Sequence, residues 1–316
     1  MEQTATKKAT TGLGINNKNE KLFYALFIAI PVIHFLVFYV YINFNSILLA
    51  FQDYTLGEGG YEISFAGFEN FKAAWQHAFG AEGWIRIKNT LLLFAITLVV
   101  GTPLAILFSY YLYKKAFLSG FFKVILFMPQ LLSGVVLGIL FKQLTSSVYI
   151  DLFGDATTTG LLTNPETKFG TIVVFNLLMG FGVNVLTFTS TMSGVNESLI
   201  ESAQLDGATL IEELWYIILP MIYPTVTTLL IVSFSHLFTE QFHLYTLFGT
   251  SANEMSTVGY YLYVQAQSSA LSSSEVSGVY LSYPILSAMG LIFTAIILPS
   301  TLITRNLIEK YGPSAD

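Results

Sequence analysis

Six stretches of this chain carry no Asp, Glu, Lys or Arg over 18 to 23 residues: Leu22–Val40, Thr90–Leu112, Val124–Phe141, Phe169–Phe188, Ile217–Phe234 and Tyr280–Leu302. A helix needs about 20 residues to cross the roughly 30 Å hydrocarbon core of a bilayer. In lipid no water satisfies the backbone, so each stretch is expected to be a helix. A membrane barrel would instead show alternating segments of roughly ten residues. Composition points the same way. Apolar residues make up 53% of the chain and charged residues 11%, where soluble domains are about a quarter charged. The expected fold class is therefore all-α, a polytopic membrane protein with six transmembrane helices. High hydrophobicity excludes disorder for most of the length. The absence of cysteine excludes disulfides, thiolate metal sites and cysteine nucleophiles. The net charge of −6 argues against a nucleic-acid partner, whose footprint would be basic.

Residues 1–21 are polar and read as a disordered cytoplasmic tail, 22–304 as the membrane domain and 305–316 as a second cytoplasmic tail. The first apolar run is too long for a signal peptide, and no small-x-small cleavage site follows it. Lys and Arg set the orientation. With the N-terminus inside, nine fall on cytoplasmic segments (Lys7, Lys8, Lys18, Lys21, Lys114, Lys115, Lys123, Arg305 and Lys310). Five fall outside (Lys72, Arg86, Lys88, Lys142 and Lys168). Both termini are thus expected in the cytoplasm. One cytoplasmic segment, 192–220, departs from the bias: it holds Glu197, Glu201, Asp206, Glu212 and Glu213 and no base. It is either a solvated acidic loop or a docking surface for a basic partner.

Within it, Ser198 to Leu205 can form one short helix and Glu212 to Ile218 a second. Gly207 lies between them, where a turn with positive φ costs nothing sterically. Leu210, Leu214 and Ile217 share one face at helical spacing. Pro220 suits the opening of the next membrane helix, where its missing N–H is tolerated.

The run Glu201-Ser202-Ala203-Gln204-Leu205-Asp206-Gly207-Ala208, with Ile217, Leu219 and Pro220 following at fixed spacing, resembles the EAA loop of permease subunits of binding-protein-dependent ABC importers. It departs at Ser202, where the family usually has Ala, and at Leu214, often aromatic. Phe65-Ala66-Gly67-Phe68-Glu69-Asn70-Phe71, Asn89-Thr90-Leu91 and Met128-Pro129 resemble further segments of the carbohydrate, maltose-type subfamily. The Gly-Gly-Pro often found after the fifth helix is replaced by Gly249-Thr250-Ser251. The resemblance runs from about Leu22 to Lys310. It implies a type I ABC importer permease in the bacterial cytoplasmic membrane, surrounded by lipid. Its implied partners are a second homologous permease subunit, two ATP-binding cassette ATPase subunits and an extracytoplasmic solute-binding protein. It further implies ATPase coupling through Glu201, Ala203, Asp206, Gly207, Ala208, Leu219 and Pro220. The chain has no G-x-x-x-x-G-K-[ST] phosphate loop. No cofactor and no catalysis are expected in it, and ATP would be hydrolysed by the partner ATPase subunits.

Polar groups within spans tend to face a cavity or another helix. Asn176, Gly180 and Asn184 recur every four residues in the fourth span, for close interhelical packing or for a solute pathway. In a continuous fifth helix His236, Glu240 and His243 share one face, open to three readings: a metal site, a solvated helix end, which suits His243 best, or contacts from His236 and Glu240 to a polar solute. The maltose-type resemblance implies pathway positions at Gln130, Gly134, Asn176, Met179, Gly180, Val183, His236, Leu237 and Glu240. Gly134 and Gly138 form a G-x-x-x-G packing motif. Phe68, Phe71, Trp75 and Phe79 make an aromatic stripe suited to an interfacial helix. The six stretches hold no cation, which favours a neutral sugar or oligosaccharide as solute. Two alternatives stay open: the same family carrying glycerol phosphate or an amino acid, and a stand-alone secondary transporter.

Overall fold

The computed structural model describes residues 18–57, 60–154, 159–269 and 281–312. The expected tail at 1–17 and the end of the second tail at 313–316 lie outside them, as does Tyr280. The expected tail stops short of residue 21, because a helix begins at Lys18.

Among the described residues six helices are long and apolar enough to cross a membrane. They are α1 (Leu22–Leu49), α3 (Ala81–Tyr113), α5 (Gly134–Phe153), α6 (Pro165–Met192), α8 (Leu210–Ser235) and the last helix, α11 (Tyr283–Tyr311). Between them lie α2 (Glu69–Phe79), α4 (Ser119–Leu131), α7 (Glu197–Leu205), α9 (Leu244–Phe248) and α10 (Val258–Ser268). Among the described residues the one sheet is an antiparallel hairpin, β1 (Gln52–Gly57) with β2 (Gly60–Phe65), which the sequence reading did not anticipate.

The third span is not the single helix expected over Val124–Phe141. It breaks at Leu132 and Ser133, both extended, so α4 and α5 are separate helices. Pro129 removes a backbone donor just before the break. Other prolines are absorbed without a break, Pro31, Pro224 and Pro299 among them. Pro103 and Pro220 each follow a π-helical turn, Thr97–Gly101 and Leu214–Ile218. The wider turn relocates carbonyls that a proline four residues on cannot satisfy. Pro220 therefore lies inside α8 instead of opening it, and the expected second short helix at 212–218 is the first part of that span.

Three buried clusters hold the bundle together. Near the 192–220 connection, Tyr110, Val185, Phe188, Met192, Ile200, Leu214, Ile218 and Ile222 join α3, α6, α7 and α8. Toward the other end, Leu93, Ile172, Phe175, Phe242, Leu244 and Tyr260 join α3, α6, α9 and α10. A third set, including Ala74, Ala78, Ala288, Met289 and Phe293, seats α2 on α11. Apolar burial drives helix association weakly in lipid, so close approach of backbones matters more. At Gly182 a Cβ would stand 2.1 Å from the Leu126 carbonyl oxygen of α4. At Gly138 it would collide with Thr246 of α9, so that residue of the G-x-x-x-G pair packs a helix, as expected. By contrast α1 buries none of its apolar window.

The motifs of the opposite end work as cross-ties. The Asn70 side chain donates to the Ala50 and Gln52 carbonyls at 3.1 and 2.9 Å. Asn89 donates to the Glu254 and Ser256 carbonyls at 2.7 and 3.0 Å. Thr90 accepts from the Val258 N–H at 3.0 Å. The aromatic stripe leaves Phe68 and Trp75 exposed while Asn70, Ala74 and Ala78 face inward.

Candidate functional site: a polar cavity and an acidic loop

Span four turns one face inward through most of its length. Asn164 caps it by accepting from the Glu166 N–H at 3.0 Å, and Pro165 fills a first-turn position with no donor to lose. From there the four-residue repeat carries Asn176, Gly180 and Asn184 onto one side. Together with residues of α3 and α8 they line a cavity of about 330 Å³. His236, Leu237, Glu240, Phe242 and His243 line it as well.

The fifth span reaches this cavity differently from expectation. The helix ends at Ser235, His236 is its C-terminal cap, and the chain then turns. His236, Glu240 and His243 are therefore not on one helix face, although all three line the same cavity. His236 leaves helical geometry at φ −91° and ψ 3°, and farther on Phe242 and His243 take left-handed φ values of 50° and 55°, so the helix does not resume. Two of the polar residues pin this turn. The Glu240 carboxylate accepts from the Phe242 N–H at 3.2 Å, and the Asn176 amide donates to the Phe242 carbonyl at 3.0 Å. The Asn176 amide also donates to the Ile172 carbonyl at 2.9 Å. Both N–H functions are thereby used internally, leaving the Oδ1 acceptor for anything in the cavity. Both readings of Asn176 hold together: it packs spans and borders the space. A Cβ at Gly180 would meet nothing within 4 Å, so this glycine opens onto the cavity. His236 is exposed, its ring Nδ1 3.4 Å from the Thr239 hydroxyl. Burial holds the His243 imidazole below the ordinary histidine range, and Glu240 nearby offsets part of that shift. Among the described residues no cluster of acidic and histidine side chains could hold a metal ion.

Four expected pathway positions lie outside this cavity. Met179 and Val183 each precede a cavity residue by one position, about 100° round the helix, and so face α4 and α5 or the surface. Gln130 donates to the Met179 carbonyl at 2.7 Å, and Gly134 stands opposite the same methionine. Val183 is exposed. In return the cavity gains Thr97 and Thr102 from span two and Ser233 from span five. Polar residues inside otherwise apolar stretches were the available signal for all three.

The acidic connection follows its residues closely. Asn196 caps α7, accepting from the Ser198 N–H at 3.1 Å. The helix ends on Asp206, and Gly207 takes φ +83°, as expected of the hinge glycine. The Gly207 N–H donates to the Gln204 carbonyl and the Ala208 N–H to the Ala203 carbonyl at 3.1 and 2.9 Å. This is the paired closure of a helix by a left-handed residue, and half-buried Ala203 and Ala208 lie at the two ends of its outer bond. The E-x-A-x-x-D-G-A spacing is thus that of a helix stop. Thr209 and Glu212 then form a capping box for α8.

The acidic run is accordingly not one uniform surface. Glu212 caps a helix, and Glu213 is buried and paired with Lys114 at 2.5 Å. Glu197, Glu201 and Asp206 remain exposed, beside Leu205 at 89% exposure. The face sharing Leu210, Leu214 and Ile217 is also revised: Leu210 is exposed, while Leu214 and Ile218 are buried with Glu213. Leu219 and Pro220 lie half-buried just beyond.

Comparison with known proteins gives the same outline. The chain is 28% identical over 298 residues to the arabinooligosaccharides transport system permease protein AraP of Bacillus subtilis (strain 168), covering 90% of this chain and 88% of that protein. It is 26% identical to the polygalacturonan/rhamnogalacturonan transport system permease protein YteP of the same organism, over 89% of this chain and 85% of the relative. A chain of the crystal structure of a bacterial ABC transporter involved in alginate import superposes with a TM-score of 0.74, at 22% identity, covering 93% of this chain and 97% of that one. At that identity the likeness is one of fold. Residues 101–312, from the middle of span two through span six, match the model of the binding-protein-dependent transport system inner membrane component. The chain is a multi-pass membrane protein and belongs to that family of transport-system inner membrane components.

Proposed function

We propose that this chain is one of two permease subunits in an ATP-driven importer of neutral oligosaccharides. The observation that carries the reading is the cavity between spans two, four and five. It is lined by Asn176, Asn184, His236, Glu240 and His243 and, among the described residues, by no Lys or Arg. Hydroxyl-rich solutes suit amide, imidazole and carboxylate partners. An anionic solute would meet the Glu240 carboxylate with no cation to offset it, which argues against phosphorylated and uronate solutes at this site. The sugar-transport names of the relatives support the class; the acidic polysaccharides in two of them find no complement here.

In this reading the partner permease closes the pathway along the side bearing Gln130, Gly134, Met179 and Val183. A solute-binding protein delivers the sugar from outside, and two ATPase subunits bind ATP on the cytoplasmic side. Exposed Glu201 and Asp206 and the Gly207 stop present α7 to one of those ATPases. Closure of the ATPases moves α7 and tilts the bundle between inward- and outward-open states. Both termini are cytoplasmic, on the lysine bias.

The test is uptake by the assembled transporter carrying His236→Ala or Asn176→Ala. Both variants are expected to assemble and to keep basal ATPase activity while losing uptake. The Asn176 change carries an added cost of about 1–3 kcal/mol for the unsatisfied Phe242 carbonyl. Unchanged uptake in both would remove the cavity from the pathway.

A further inference from the structure

The buried carboxylate of Glu213 has no part in the cavity or in the exposed docking surface, yet three segments converge on it. It is 1% exposed. Lys114 Nζ lies 2.5 Å from Oε1 and 2.7 Å from Oε2. The Tyr110 hydroxyl donates to Oε1 at 3.1 Å, and Gln204 Nε2 donates to Oε2 at 3.2 Å. Tyr110 and Lys114 belong to the end of span two, Gln204 to α7, and Glu213 to the start of span five.

We infer that Glu213 and Lys114 are positioning residues that make α7 and the ends of spans two and five move as one body. This rests on the reading of α7 as the segment an ATPase holds. A nine-residue helix is marginal by itself. Here α7 buries only Ile200 and is joined to span five through a glycine stop. Gln204 is the side chain through which α7 bonds to the Glu213 carboxylate, and Lys114 carries the same carboxylate over to span two. A buried ion pair adds little net stability, because desolvation offsets its attraction. Its use here is to fix geometry: a push on α7 reaches span two, which lines the cavity at Thr97 and Thr102.

The experiment uses the complete transporter, with ATPases and binding protein, in lipid nanodiscs. The variants are Glu213→Gln, Gln204→Ala and the exchange Lys114→Glu with Glu213→Lys. Gln204 is exposed, so its variant loosens the knot from the loop side with the core intact. Two quantities are measured: ATP hydrolysed per sugar transported, and amide exchange across residues 197–205. Glu213→Gln and Gln204→Ala are expected to retain the ATPases. Both should raise ATP used per sugar about fivefold, the lower end of coupling between distant sites. Exchange in α7 should quicken about tenfold, the equivalent of one hydrogen bond to a charged group. The exchanged pair should return both quantities toward wild type. Wild-type stoichiometry and exchange in both single variants would overturn the inference, as would faster exchange with unchanged stoichiometry. Failure of the docking reading looks different: α7 of the wild-type complex would gain no protection when the ATPases are bound.

Discussion

At residue scale, each polar group near the cavity divides its capacity between holding the chain and facing the space. Asn176 spends both N–H groups on carbonyls and Glu240 accepts from a backbone amide, so the turn at Phe242–His243 is built by residues that also line the cavity. Gly180 has no such double role. Leu in its place should fit the open space and add helix propensity, since glycine costs about 1 kcal/mol in a helix interior. Gly180→Leu is therefore expected to leave thermal stability unchanged or raised and to depress uptake, more for longer oligosaccharides than for short ones. Uptake and melting measured on one preparation check this. The Asn176, Gly180 and Asn184 face was legible, because helical spacing in an uncharged stretch places it directly. The resemblance implied that this face meets His236 and Glu240, though on a continuous fifth helix that the structure does not have, and His243, which suited a solvated helix end, lines the same cavity. Helical periodicity could not reveal that the fifth span stops at Ser235, since the turn that follows is held by a contact distant in sequence, from Asn176 to the Phe242 carbonyl. Glu213 was misread for a related reason. A carboxylate in an acidic run looks solvated until its base, ninety-nine residues away in sequence, is brought beside it.

At the scale of elements, segment 192–220 was the most legible part of the chain. Its capping residues, its glycine and its small residues act locally, within five positions of one another, so sequence spacing and structure carry the same information. The test is Gly207→Val. A β-branched residue at φ +83° is strained by about 1–3 kcal/mol. The variant is expected to insert its spans normally and to hydrolyse ATP without transport, or to lose its ATPases on purification. Paired uptake and ATPase assays read the outcome, and wild-type coupling would remove the hinge. The third span was less legible. Pro129 stands three residues before Leu132, but a proline in an uncharged run does not by itself place the break at Leu132 and Ser133. The hairpin of β1 and β2 did carry a signal, since Tyr61, Ile63 and Phe65 alternate with Glu62 and Ser64 and pair with Leu56, Tyr54 and Gln52, but the run is short and Tyr61 to Phe65 are all exposed.

At the scale of the molecule, the exposed apolar surface of α1 and of the α4–α5 side requires lipid or a second subunit around it. Six uncharged stretches in the sequence sufficed for the span count, because lipid admits so few backbone solutions. They could not show which sides meet a partner, since lipid-facing and subunit-facing apolar surfaces read alike. Orientation is open to direct measurement, as the native chain has no cysteine. A cysteine placed at position 10 is expected to resist an impermeant thiol reagent in intact cells and to react after lysis; labelling in intact cells would reverse the topology. The central claim, that this chain turns ATP hydrolysis by its partners into import of a neutral sugar, is tested most directly in proteoliposomes. They would contain the full transporter, ATP inside and a solute-binding protein loaded with labelled oligosaccharide outside. The account expects accumulation that needs both ATP and the binding protein and that is lost in Gly207→Val. Accumulation that continues without ATP, driven by an ion gradient, would contradict it.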